Sequence, residues 1–250
     1  MKFGYMSGFR DNLLTEIKFA KQYFDFTEIT IQPTLLKTID AIFYDLKNAT
    51  ANFEVLGHIH WDIIKFDEII KNVELLRDLG AKKITIHPFQ DLDIEENAKI
   101  FNKINTVLQK NNMRLLIENI SSAPYNSADN ISKLLEKIPN ADITLDVGHA
   151  NKIFELDKFI DIFKHKIGHI HLHDNVGNLD HMFYDNQDKI DEIFSKLNSI
   201  GYNDTILLET FSIFKDGKNI SQEFEEIKKL HIEQFKKIKN SLKQHFYLPN

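Results

Sequence analysis

Short apolar runs alternate with longer amphipathic segments along the whole chain, and this alternation limits the fold more than any other feature of the sequence. KFGYM, FTEITI, FEVLGHIHW, KKITIHPF, MRLLIENI, ITLD, IGHIHLHDN and DTILLETF read as strands. Helices are predicted from Asn12 (with Asp11 or Asn12 as cap) to about Phe24, and over Leu35 to Lys47, Phe66 to Asp78 and Glu95 to Lys110. Four more follow over Ile131 to Lys137, Glu155 to His165, Ile190 to Ser199 and Ser221 to Leu242. Gly80 and Gly201 stand where helix C-caps belong. Several strands are apolar throughout, as expected of a parallel sheet covered on both faces. Eight strand–helix units in 250 residues have the size and order of one closed (β/α)8 barrel domain spanning residues 1–250. An open doubly wound sheet is the competing arrangement, but it places a glycine-rich phosphate turn after its first strand, and GYMSGFR is not GxGxxG.

The charge balance narrows the partners. A net charge of −6 disfavours nucleic acid held through its phosphates. Arginine occurs only at Arg10, Arg77 and Arg114, so guanidinium forks for phosphate are scarce. Arg10, Lys215 and Lys218 are the dispersed candidates for anchoring a phosphorylated substrate. With no cysteine, thiolate ligands and cysteine nucleophiles are excluded. No apolar run suits a signal peptide or a membrane span, so a cytoplasmic location is the default expectation. The chain is compatible with a homo-oligomer.

The chemistry is concentrated at the predicted strand ends, where a barrel builds its active site. Those ends carry Glu28, His58 or His60, His87, Glu118, Asp146 with His149, His171 with His173, and Glu209. Alternation in IGHIHLHDN turns His169, His171 and His173 to one face. Imidazoles and carboxylates gathered at one mouth repel within each class, and a shared divalent cation removes that cost. Trp61 and Phe89 flank the mouth and suit either ring stacking or packing. Asn119 suits a hydrogen bond to a neighbouring carboxylate or to substrate.

From Lys2 to about Leu242 the chain resembles the xylose-isomerase-like barrel superfamily, which includes sugar isomerases and epimerases and the endonuclease IV type of repair enzyme. GHIHW, IHPF, LLIENI, LDVGHAN, HIHLHDN and LLETF carry the likeness. It implies a divalent metal (manganese, cobalt, magnesium or zinc) held by Glu118, Asp146, His171 and Glu209, with His171 chosen because His171 and Asp174 reproduce the His-x-x-Asp motif. In the isomerase branch, Glu118 and Glu209 are also the acid–base groups that move a proton through an enediolate. His149 steadies substrate oxygens there, and His58, His87, His173, Trp61 and Asn119 are expected to face a small polyhydroxy substrate. In the endonuclease branch a zinc cluster activates water against a phosphodiester. There His58 and His87, sharing Glu118, imply a second metal, and His149 with Asp180 and His181 a third. That third set departs from the family pattern, since Asp180 and His181 are adjacent where the motif reads Asp-x-His. The loops HWDIIKFDE and PFQDLDIEEN are short and acidic, which disfavours abasic DNA and supports a sugar or sugar phosphate. A barrel that binds without turnover is the alternative from a different class, set against the presence of all four core ligands.

Overall fold

The computed structural model describes residues 1–9, 12–176, 179–184, 186–210, 213–215, 218–220 and 224–245. Asp11, Arg10 and Ser221 fall outside them, as do the side chains of Lys215 and Lys218, so those sequence expectations receive no structural account. In chain order the elements are β1 (Lys2–Ser7), α1 (Leu13–Tyr23), β2 (Phe26–Thr30), α2 (Phe43–Thr50), β3 (Glu54–His58) and α3 (Phe66–Asp78). Then come β4 (Lys83–Ile86), α4 (Ile94–Lys110), β5 (Arg114–Glu118), α5 (Ala128–Glu136), β6 (Asp142–Asp146), α6 (Val147–Lys152) and α7 (Leu156–Phe163). The last part holds β7 (Ile167–Leu172), β8 (Asp174–Val176), β9 (Leu179–Met182), α8 (Gln187–Ser199), β10 (Thr205–Leu208), β11 (Ile213–Lys215), β12 (Lys218–Ile220) and α9 (Phe224–His245).

Eight strands close in the order β1-β10-β7-β6-β5-β4-β3-β2, and every pairing around the ring is parallel. This is a (β/α)8 barrel. Helices form where caps and periodicity agree. Asn12 Oδ1 accepts from the Thr15 amide to start α1, and Asp93 and Glu96 form a reciprocal capping box at α4. Gly80, at φ +103°, closes α3 as the sequence anticipates. Outward strand residues such as Tyr5, Ile29, Ile84, Ile117, Ile143 and Leu208 join the helices in the main core. Inside the barrel, Met6, Phe26, Leu56 and Leu207 form a separate small plug. Gly4 makes room for it, because a Cβ there would meet the Phe26 ring at 2.2 Å. The polar layer lies above that plug. No described helix is long and apolar enough to cross a membrane.

Several expectations need correction. Leu35 to Lys47 is not one helix: two 3-10 turns (Leu35–Lys37 and Ile39–Ala41) precede α2. Thr38 and Ile42, at φ −125° and −120°, leave the helical region and interrupt the ladder. The predicted helix from Glu155 is preceded by the short α6, which begins at Asp146 because that carboxylate accepts from the His149 amide. His149 therefore sits on a helix, not in a loop. Two antiparallel hairpins, β8–β9 and β11–β12, were not anticipated. Glu28 lies on the inner face of β2, opposite Met6 and Leu56 and thus below the rim, where it bonds to barrel histidines rather than closing the strand.

Candidate functional site

Inward residues at the C-terminal ends of β3 to β7 and after β10, with His149 of α6 and Asp180 and His181 of β9, form three adjoining donor sets, and a fourth group, Glu28 with His169 and His171, lies beneath them. In the central set, one ligand atom each from Glu118, Asp146, His171 and Glu209 lies within 4.8 Å of the others. All four are buried. His171 Nδ1 is 3.1 Å from Glu118 Oε1 and 2.9 Å from Glu209 Oε2, so both glutamates converge on one imidazole nitrogen. Glu209 Oε2 is buried without a hydrogen-bond partner. An orphaned carboxylate oxygen facing an imidazole nitrogen, with two more carboxylates beside it, fits a divalent cation. The mixed N/O donors suit manganese, cobalt, magnesium or zinc.

A second set lies to one side. His58 Nε2 and His87 Nε2 reach the same oxygen, Glu118 Oε2, at 3.0 and 3.1 Å, which makes Glu118 common to both sets. The third set holds His149, His173, Asp180 and His181. Asp180 and His181 are adjacent where the family motif reads Asp-x-His, and in a regular strand adjacent side chains point to opposite faces. His181 adopts φ +55° on β9, and this left-handed backbone breaks the alternation. Asp180 Oδ1 then lies 3.3 Å from His173 Nδ1, and the His181 ring centroid lies 4.2 Å from that of His173. The expected departure from the motif is thus absorbed by the hairpin. Asp146 Oδ2, 3.0 Å from His173 Nε2, connects this set to the central one.

Supporting contacts fix these groups. Asn119 accepts from the Asp146 amide (2.8 Å) and donates to the Asp146 carbonyl (2.9 Å). Both ends of its amide bond the backbone of a central donor, so it braces Asp146. His149 Nδ1 donates to the Asn119 carbonyl (3.0 Å), and its Nε2 lies 3.7 Å from Asp180 Oδ2. Beneath the centre, Glu28 bonds His171 Nε2 at 3.0 Å and approaches His169 Nε2 at 2.9 Å, while His169 Nδ1 contacts Thr205 Oγ1 at 2.7 Å. A carboxylate on the far nitrogen of His171 holds that ring with Nδ1 toward Glu118 and Glu209. The sequence signal for this coupling is the inward alternation of FTEIT against IGHIHLH; only barrel closure brings the two strands' residues together.

Electrostatics follow the geometry. Burial alone would push the Glu118 carboxyl up, but His171 and His87 outweigh it and hold the group well below the ordinary range. Asp146 is likewise lowered against burial, by His149 and His173. Burial opposes protonation of His171, yet Glu118, Glu209 and Glu28 lift it well above a normal imidazole. His173 is raised to about 9, with Asp146 prevailing over burial.

Gly148 shows how tightly the third set is packed. A Cβ there would fall 2.0–2.6 Å from three atoms of the His173 ring. Gly148→Ala should therefore displace His173 and destabilise the protein by about 1–3 kcal/mol. Thermal melting measures the loss; an unchanged midpoint would show that the ring can move aside freely.

Residues 50–230 match the family described as xylose isomerase-like TIM barrel. The chain belongs to that family. Among curated proteins, it is 30% identical over 125 residues to the uncharacterized protein MJ1614 of Methanocaldococcus jannaschii, a match covering 47% of this chain and 49% of that one. The match thus spans about half the length of that relative. Among solved structures it superimposes on a D-tagatose 3-epimerase-like protein with a TM-score of 0.71 at 20% identity, covering 97% of each chain. D-psicose 3-epimerase from Clostridium cellulolyticum H10 gives 0.71 at 15% identity, over 97% of this chain and 99% of that one. The probable 3-DHS dehydratase AsbF from Bacillus anthracis gives 0.69 at 17% identity, over 96% and 99%. Likeness at these identities establishes the shared fold.

Proposed function

We propose that this family member is a divalent-metal-dependent isomerase or epimerase of a small polyhydroxy carbonyl compound. The observation that carries this reading is that Glu118 and Glu209 both reach His171 Nδ1, at 3.1 and 2.9 Å, within one buried donor set. Proton transfer next to a carbonyl needs one group to remove a proton and another to return it. Glu209, whose Oε2 has no hydrogen-bond partner, takes the proton. Glu118, contacted by His58, His87 and His171, is the group that returns a proton. His149 Nε2 accepts from a substrate hydroxyl, and His58, His87 and His173 line the approach. A divalent ion held by Glu118, Asp146, His171 and Glu209 would stabilise the charge of the enediolate. That the neighbouring structures include epimerases agrees with this reading. Screening manganese-loaded protein against ketoses and their phosphates in deuterated water tests it: turnover should incorporate solvent deuterium. Glu209→Gln should lower that turnover by roughly a thousandfold with the melting curve retained. Full activity in this variant would remove Glu209 from the proton transfer.

A second reading, a multinuclear zinc phosphodiesterase, is favoured by one observation: two further donor sets adjoin the central one, through Glu118 and Asp146. Elemental analysis separates the two. One metal equivalent supports the isomerase, two or three of zinc support hydrolysis, and none supports a binding protein. Robust cleavage of an abasic-site duplex would overturn the preference for a sugar.

A further inference from the structure

Beside the second donor set, the loops after β3 and β4 enclose a cavity of about 420 Å3. Ile59, Ile63, Ile86 and Phe89 are among its walls, Trp61 and Ile64 stand at its mouth, and His87 borders both the cavity and Glu118. No lysine or arginine lines it, and Asp91 adds negative charge, so a phosphate or carboxylate would be repelled there. A bare sugar would set part of its hydroxyls against hydrocarbon, since His60, His87, Gln90 and Asp91 offer side-chain partners in a wall otherwise built from apolar residues. Trp61 and Ile64 remain 52% and 66% exposed, two large apolar side chains side by side at the opening. Trp61 is held in place by its stack on His60, at 4.0 Å between ring centroids, and on Phe9 at 5.9 Å. The volume is ample for a six-membered ring with substituents.

We propose that this cavity seats an uncharged hydrocarbon or aromatic ring of the substrate, so that the compound handled at the centre is a ring-bearing hydroxy-carbonyl molecule and not a sugar phosphate. The inference rests on the reading of the centre given above, and it deepens that reading by naming what lies beyond the reacting atoms. His87 supplies the continuity, since it lines the cavity while its Nε2 lies 3.1 Å from Glu118 Oε2.

The test uses two oxygen chelators differing only in methyl against phenyl, acetohydroxamic and benzohydroxamic acid, titrated into the manganese-loaded full chain by calorimetry. Trp61, the only tryptophan of the chain, reports the cavity directly by fluorescence. Benzohydroxamate should bind roughly tenfold or more tightly than acetohydroxamate, from apolar burial alone, and should shift Trp61 emission. Ile64→Glu, at an exposed position, and Trp61→Ala should each bring the ratio toward one. Equal affinities in the wild type, or a ratio that survives both variants, would overturn the proposal. Failure of both chelators to bind would instead count against the metal centre. The cavity is then decided on metal-stripped protein titrated with benzyl alcohol and with erythritol. A change in Trp61 emission with benzyl alcohol alone supports the ring seat, while a response to neither, or to erythritol alone, removes it.

Discussion

Glu118→Gln should cost this protein most of its metal, lowering affinity by roughly a hundred- to a thousandfold. That corresponds to about 3–4 kcal/mol for removing one charge from a buried set of partners. The size of the effect follows from position. Glu118 Oε2 serves His58 and His87, and Oε1 serves His171, so one side chain is common to two donor sets. Neutralising it also leaves those three imidazoles without their shared counter-charge. Asp180→Asn is the natural comparison, since Asp180 belongs to the third set alone. Elemental analysis after dialysis should find metal reduced at the third set in Asp180→Asn, and reduced at both the central and the second set in Glu118→Gln. Equal stoichiometry in the wild type and Glu118→Gln would show that the carboxylate is structural.

The second large effect is on stability against pH in protein stripped of metal. His173 has a folded pKa of about 9 against an ordinary value near 6.5. A group raised in this way contributes stability in full below about pH 6.5 and loses it as pH climbs through 9. His58 and His171 are raised as well and act in the same direction. His169 and His181 are lowered, chiefly by burial, and their contribution falls away on the acid side. Metal-free protein should therefore be most stable near pH 6–7. It should lose about 3 kcal/mol by pH 9.5 from His173 alone, a drop of roughly 6–12 °C in melting midpoint for a chain of this size. Metal displaces protons from these nitrogens, so the rise in midpoint on adding manganese or zinc should grow over the same interval. Calorimetric scans across pH with and without chelator measure both. A flat metal-free profile from pH 6.5 to 9.5 would show that His173 does not hold its proton in the folded chain.

Individual residues show how far the sequence could be read. Strand alternation placed His169, His171 and His173 on one face, and strand ends exposed Glu118, Asp146 and Glu209 as a set. His58 and His87 were legible as rim histidines, but that both contact one oxygen of Glu118 was not, because two loops and a third strand set that distance. Asn119 was readable as a polar neighbour of a candidate ligand; its use on the Asp146 backbone depends on β5 and β6 lying side by side. Asp180 and His181 are adjacent where the family motif reads Asp-x-His, and adjacency in a regular strand implies opposite faces. That rule fails once the backbone at His181 enters the left-handed region. The break between α6 and α7 was hidden because Asp146 was read as a ligand and not also as a helix cap.

By itself, the sequence determined the barrel and the donor residues at its mouth, because local periodicity sets which way each side chain points. Only the tertiary structure decided which donors meet, how Glu118 and Asp146 join three sets into one row, and that an apolar cavity opens beside His87. Those outcomes depend on how strands from opposite ends of the chain come into register when the sheet closes. No local pattern encodes the separation between groups held more than a hundred residues apart, such as Glu28 and His171.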